Sequence, residues 1–441
     1  MTRTGHPTRR RVLRASAAAA TAASLGGAKT AIGQTAVRRG TRLTYWGGLI
    51  FSDRANKLLV DTISKWGRDN GVTTEVVMVN QNETTRQVSA AMAANTMPDA
   101  LDLGLDLLLL LARQNVLLPV DEIFTRVGQA QGGWYESIAA ATDTSKAGSG
   151  GRTGLPFGAS GNLLLRRKDI LEKAGITKAP TTWAELVEQS VKVNKPPVFA
   201  MGIALSNVGD GNTMIGALQS FGGRIADDAG RNAAIKSDAT RAFLTWIKDA
   251  WGKKLFPPGV TTWDGAGDNN AYLSGQAVFI ANTGSVGLAA RTQDPELYKA
   301  TGYSSLPGGP RGVVSPITPN VRAIARSSGN PEAAKDLIEH LSRPEFMNAY
   351  FENAIYGPAL KSQAKLSSFT GTDPILGGLL DLVERGTAPG APDVYNAGFA
   401  DMWANFIVPR MMQRVVVDNW EFDRAMDEAQ AAIQAIYDRS R

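Results

Sequence analysis

Covalent catalysis has few side chains to work with in this chain. Its 441 residues contain no cysteine and two histidines. Without cysteine there is no thiol nucleophile, no disulfide and no thiolate metal site. His6 stands in the N-terminal tail, so a Ser-His-Asp triad or a histidine metal site would have to use His340. That residue falls within an amphipathic helical stretch and reads as structural. No Gly-x-x-x-x-Gly-Lys-Ser/Thr phosphate loop is present. Glycoside cleavage by paired carboxylates stays open, because 41 acidic residues could supply a pair. What the chain offers more plainly is non-covalent. Several loops set a ring or a carboxylate beside glycine and short polar residues: Tyr45-Trp46-Gly47-Gly48, Asn80-Gln81-Asn82-Glu83, Gly104-Leu105-Asp106, and Trp263-Asp264 with Gly265, Asp268 and Asn269. Trp403, in Phe399-Ala400-Asp401-Met402-Trp403, is a further ring. Aromatic faces cover C–H surface, and carboxylates and amides satisfy hydroxyls. Each position also has a structural alternative. Trp46 and Trp263 could anchor a core, Gln81 could sit in a solvated turn, Asp106 could cap a helix, and Trp403 could pack between helices.

The elements that must position these residues alternate between strand and helix. Arg42 to Trp46 reads as a strand. Ala55, Leu58, Leu59, Thr62, Ile63 and Trp66 recur at three and four, one face of a helix, with Ser52 to cap its start and Gly71 its end. Strands follow at 74–79 and 100–103, with helices at 84–94 and 106–114. Strand–helix–strand order with short loops implies parallel strands. Thr182-Trp183-Ala184-Glu185 is a capping box. Ala277 to Ala281 and Val321 to Ala325 read as short apolar strands. Asn330-Pro331-Glu332 opens a helix that runs to Leu341, and the last helix covers Phe422 to Arg439.

Charge and the N-terminus set the compartment. Six of the 47 basic residues precede Gly33, where no acidic residue occurs, so the rest of the chain balances 41 basic against 41 acidic residues. A nucleic-acid binder needs a surplus of positive charge, which is missing here. Thr8-Arg9-Arg10-Arg11-Val12-Leu13-Arg14 has the form of a twin-arginine export signal. An alanine-rich apolar stretch follows, and Ala31-Ile32-Gly33 places small residues at a cleavage site. With no cysteine for lipid attachment, the mature chain is expected to be soluble and without a membrane anchor.

A further set of stretches carries a resemblance. Gly154-Leu155-Pro156-Phe157 is followed by the apolar Leu163-Leu164-Leu165 and by Arg166-Arg167-Lys168. Then come Ala174-Gly175-Ile176 and Pro180-Thr181-Thr182-Trp183 with Glu185-Leu186. Later come Ser274-Gly275-Gln276-Ala277-Val278-Phe279, Pro331-Glu332-Ala333-Ala334-Lys335 and Gly357-Pro358-Ala359. In this order the chain resembles the bacterial extracellular solute-binding proteins of ABC importers, the sugar-binding family that includes the maltose-binding proteins. It departs from the family pattern at Arg166-Arg167, where Tyr-Asn is usual. The resemblance implies a two-lobed α/β periplasmic-binding-protein fold, type II-like, with the ligand cleft between lobes joined by a hinge. Crossings are expected near 155–158, 277–281 and 325–327. Lobe one would comprise 41–155 with 280–325, and lobe two 157–277 with 327–441. The resemblance adds Phe157 and Ser160, at the first crossing, and Asn282-Thr283-Gly284, after the second, to the candidate ligand-binding set of Trp46, Gly47, Gln81, Asp106, Trp263, Asp264 and Trp403. It implies a periplasmic monomer that hands a small solute, a sugar first, to a membrane permease, with no cofactor, metal or catalytic residue. The alternatives are a secreted carbohydrate-active enzyme and a binder of a polyamine, organic acid or other non-sugar. An anionic ligand would call for Arg166 or Arg322 in the cleft.

Overall fold

Alternation of apolar and polar side chains makes Arg42–Leu49 a strand (β1), burying Leu43 and Tyr45 on one face. The computed structural model describes residues 39–50, 52–80, 83–145 and 150–440. The expected leader and Gln81 lie outside the described residues. After β1 comes α1 (Asp53–Asn70), capped by Ser52, whose hydroxyl accepts from the Ala55 amide, and closed by Gly71 at φ +68°. Its Ala55, Leu59, Ile63 and Trp66 face the core. Then follow β2 (Thr73–Asn80), α2 (Thr84–Ala94), β3 (Ala100–Gly104) and α3 (Leu105–Arg113). β2 and β3 flank β1 in parallel.

The chain builds a second sheet next. β4 (Leu155–Gly161) belongs to the first sheet, and β5 (Leu163–Arg167) to the second, so Asn162 is the crossing. The second lobe continues with α4 (Trp183–Val193), β6 (Phe199–Met201), α5 (Asp238–Gly252), α6 (Gly267–Leu273), β7 (Ala277–Asn282), α7 (Ser285–Gln293) and β8 (Thr301–Ser304). β9 (Ile317–Ile324) returns to the first sheet, followed by α8 (Pro331–His340), α9 (Pro344–Phe351), α10 (Pro374–Arg385), α11 (Ala397–Ala404) and α12 (Phe422–Arg439). The strand orders are β2-β1-β3-β9-β4 and β6-β7-β5-β8. The molecule is thus a two-lobed α/β fold, as expected.

Two stretches sit against the sheet opposite to the expected one. Residues 280–304 were expected in lobe one. Instead Phe279 to Asn282 of β7 pair with β5, Leu163 opposite Asn282, and β8 pairs with the other edge of β5. The stretch 327–351 was expected in lobe two. It packs on the first sheet because α8 buries Ala333, Ala334, Leu337 and Ile338 in the cluster that holds Leu43 and Tyr45. Two tethers fix it there: the Trp66 indole donates to Asp336 (2.8 Å), and Arg126 pairs with Glu339. The chain therefore passes between sheets at Asn162, between Ser304 and Ile317, and beyond Phe369, since Gly357 still bonds the backbone of Ala159 in β4, Lys361 and Ser362 bond the backbone of Gly133 and Gln131, and Phe369 packs on Phe351.

Candidate ligand cleft

A cavity of about 480 Å³ opens between the lobes, within the range that holds a small ligand. The first lobe supplies most of its wall. Gly48, Ile50 and Ser52 come from the end of β1 and the loop into α1. Thr84 and Thr85 open α2, and Asp102 to Leu107 run from β3 into α3. Phe157 and Ser160 come from β4, Thr318 and Asn320 from β9, and Tyr350, Ile355 and Tyr356 from α9 and the loop after it. The second lobe contributes Thr283, Ser285 and Leu288. The wall therefore combines three rings, a row of hydroxyls and two carboxylates. Among the described residues lining it there is no lysine, arginine or histidine.

A charged pair sits at the base. β3 and β9 are apolar strands each interrupted by one charge, and their register sets Asp102 opposite Arg322. The Asp102 carboxylate accepts from the Tyr45 hydroxyl (2.5 Å) and the Gly48 amide (3.1 Å). Burial raises its pKa above the usual carboxylate range, opposed by Arg322, the Tyr45 hydroxyl and the Gly48 amide. Arg322 is 1 % exposed, with its Nε 3.8 Å from Asp102. Its Nη1 donates to the Leu341 carbonyl (3.3 Å), and its Nε and Nη2 have no hydrogen-bond partner among the described residues. The guanidinium lies 4.2 Å from the centre of the Phe157 ring, so a π face offsets part of that deficit. Phe157 in turn meets Tyr356 edge-on at 5.6 Å and Tyr350 at 6.4 Å. The cation thus lies beneath the aromatic wall, facing Asp102.

On the second lobe, Asn282 shapes the lip. Its amide nitrogen donates to Asp268 (3.0 Å) and Asn269 (2.6 Å), and its oxygen accepts from the Gly284 amide and the Ser285 hydroxyl. Gly284, at φ +94°, turns the chain into α7 and leaves Thr283 and Ser285 facing the cavity. Behind the lip, burial and the charge of Asp268 push the Asp210 carboxyl up to about 6.

The structure brings Asp106, Phe157, Ser160 and Thr283 together in this cavity. Asn282 and Gly284 stand behind Thr283 as its support. Trp46 is half-buried against the cluster of Leu101, Leu103 and Val321 on the other face of the first sheet. Gly47 is buried where a Cβ would stand 2.7 Å from the Met78 sulfur, so its smallness serves packing. Trp263 packs between the two large apolar clusters, and exposed Asp264 accepts the Ala266 amide in its own turn. Trp403 is 36 % exposed, tilted against Phe399 on α11. None of these last five lines the cavity. Asp102, Asn320, Tyr350 and Tyr356 line it without having been singled out. A lone charge within an apolar strand was a readable signal for Asp102. Tyr350 and Tyr356 reach it only through the return of their segment onto β4, where Gly357 bonds Ala159.

The comparisons with known proteins decide the family. The model of the bacterial extracellular solute-binding proteins matches residues 53–348. The chain belongs to this family. A Brucella abortus (strain 2308) protein described as a binding protein is 22 % identical over 374 residues, covering 83 % of this chain and 86 % of the relative. Among solved structures, the sugar-binding protein MalE of Xanthomonas citri superposes with a TM-score of 0.76 at 20 % identity, covering 90 % of this chain and 98 % of the other. A solute-binding protein of Thermotoga lettingae bound with alpha-D-tagatose superposes at 0.70 with 19 % identity, covering 90 % and 100 %. These likenesses give this solute-binding protein its two-lobed architecture. Among its described residues no helix is long and apolar enough to cross a membrane.

Proposed function

We propose that this solute-binding protein captures an uncharged sugar in the cleft between its lobes and delivers it to the permease of an ABC importer. The observation that carries the ligand class is the composition of the cavity wall: three aromatic rings and many hydroxyls, with no cationic side chain among the described lining residues. Rings cover the C–H faces of a pyranose, while hydroxyls, Asn320 and the carboxylates exchange hydrogen bonds with its hydroxyls. An organic acid or sugar phosphate would leave its charge beside Asp106 with no partner, a costly arrangement. The importer role is supported by the family and by a Deinococcus radiodurans relative named "Probable ABC transporter-binding protein", 25 % identical over 243 residues. The arginine-rich start of the chain supports export by the twin-arginine route to the periplasm, where the mature protein acts as a soluble monomer without catalytic turnover. Each lobe contributes part of the wall, so a ligand that touches both favours the closed arrangement by its differential affinity.

A thermal-shift screen over neutral sugars, sugar alcohols, sugar phosphates and organic acids tests this reading. A neutral mono- or oligosaccharide should raise the melting temperature in proportion to occupancy. Stabilisation by anionic compounds alone, or release of reducing sugar from a glycoside, would overturn it.

A further inference from the structure

Two groups meet across the mouth of the cleft. Asp106 lies in the first turn of α3, on the lobe-one wall. Gly104 stands at the N-cap of that helix and has no side chain to offer its first amides. The Tyr395 hydroxyl donates a hydrogen bond to Asp106 Oδ1. Tyr395 belongs to the other lobe: its ring packs against the core of the second lobe and stands 5.5 Å from Phe399.

The loop that presents Tyr395 is fixed to lobe two on both sides. Two residues earlier, buried Asp393 accepts from the Gln219 amide (2.8 Å), the Arg224 guanidinium (3.0 Å) and the Ile225 and Ala226 amides. One residue later, Asn396 donates to the Gly230 carbonyl (2.8 Å) and caps α11 through the Phe399 amide (2.9 Å). A phenol held between two such anchors has little rotational freedom to lose when it meets a partner. Burial and the neighbouring carboxylate also raise its pKa, so it remains a donor at neutral pH.

We propose that Tyr395 is a positioning residue for ligand capture: its bond to Asp106 latches the lobes and sets how far the cleft stands closed. The latch deepens the reading of the cleft as the sugar site and rests on it only for its consequence for affinity. A protein already biased to the closed arrangement gives up less free energy when ligand holds both lobes.

The chain has no cysteine, so labels attach only where cysteine is introduced. Arg54→Cys on α1 and Glu188→Cys on α4, both at exposed positions, place one spin label on each lobe. Pulsed electron–electron distances are then recorded on the sugar-free protein. Tyr395→Phe keeps the ring packing and removes the hydroxyl. It should move the distribution to longer distances, lowering the closed-to-open ratio about tenfold, the size expected for one hydrogen bond to a carboxylate. Asp106→Ala, at an exposed site, should act alike, and the double variant should add nothing further. Unchanged distributions in both single variants, or strictly additive shifts, would overturn the latch. No sugar is present in this measurement, so a failed sugar screen leaves its outcome intact. Unchanged distances would likewise leave sugar capture standing.

Discussion

Asp102 and Arg322 sit opposite each other on β3 and β9, and removing either leaves the other buried. Deleting one partner of a buried ion pair costs about 3–5 kcal/mol, mostly because the survivor keeps its desolvation penalty. Arg322→Met should therefore lower stability to urea by about 3 kcal/mol. Adding Asp102→Asn should recover part of the loss, since the remaining carboxamide carries no charge. Equal loss in single and double variants would show that Arg322 acts through packing alone. Asp210 makes a different kind of statement. Its carboxyl is pushed from 3.8 up to about 6, by burial first and Asp268 second. The folded state thus holds the proton more tightly than the unfolded chain. Stability from this group is full below pH 3.8 and is lost as pH rises through 6. Asp210→Asn removes that slope. The urea midpoint of the variant relative to the native protein should climb between pH 4 and pH 7, and a constant gap would contradict the assignment. Asp102, Arg322, Asp210 and Asp268 were visible in the sequence as single residues. Their meaning was not, because the pairing of Asp102 with Arg322 and the approach of Asp210 to Asp268 depend on contacts far apart in the chain.

At the scale of elements, the legible parts were those governed by local rules. The apolar face of α1, its Ser52 cap and its Gly71 terminus appear as read, and Thr182 caps α4 through the Glu185 amide (3.1 Å). β6 and β8 were not visible. They are three and four residues long and exist through pairing with β7 and β5. Cleft membership followed the same division. Loops directly after strands gave Asp106 and Thr283. Tyr350 and Tyr356 reach the cleft only because the chain after α9 doubles back onto β4, where Gly357 and Ala159 exchange backbone hydrogen bonds. That contact needs Gly158, where a Cβ would stand 2.8 Å from the Tyr356 Cβ and 3.3 Å from the Gly357 oxygen. Gly158→Ala should displace the Tyr356 ring. It should weaken binding of a sugar found by the screen about tenfold and destabilise the protein by about 1–3 kcal/mol, as overpacking does. Calorimetric titration alongside urea unfolding separates the two effects. Full affinity in the variant would show that this ring does not hold ligand.

For the whole molecule, the question is whether two lobes behave as one folding unit. Their sheets are separate, yet one apolar cluster runs from Leu43 and Tyr45 in the first sheet, through Phe157 and Leu163 at the crossing, to Tyr303, Ile375 and Leu379 beside the second. α10 carries much of this bridge: Gly378 approaches β8 so closely that a Cβ would stand 2.6 Å from the Tyr303 Cβ. α10, which follows the third crossing, also lies beside the first, since a Cβ on Gly161, next to Asn162, would stand 3.0 Å from the Leu382 Cδ2. Melting one lobe would therefore strip apolar cover from the other at about 25 cal/mol for each Å² exposed. Scanning calorimetry should accordingly show one transition, with calorimetric and van't Hoff enthalpies in agreement. A saturating sugar should move that single peak upward as a whole, by about 2.7 kcal/mol of stabilisation at a hundred times its dissociation constant. Two separable peaks, only one of them sensitive to sugar, would mean that the shared cluster does not couple the lobes and that ligand rests on one of them alone. The cleft would then be an open shelf, because a ligand that bridges both lobes must stabilise both together.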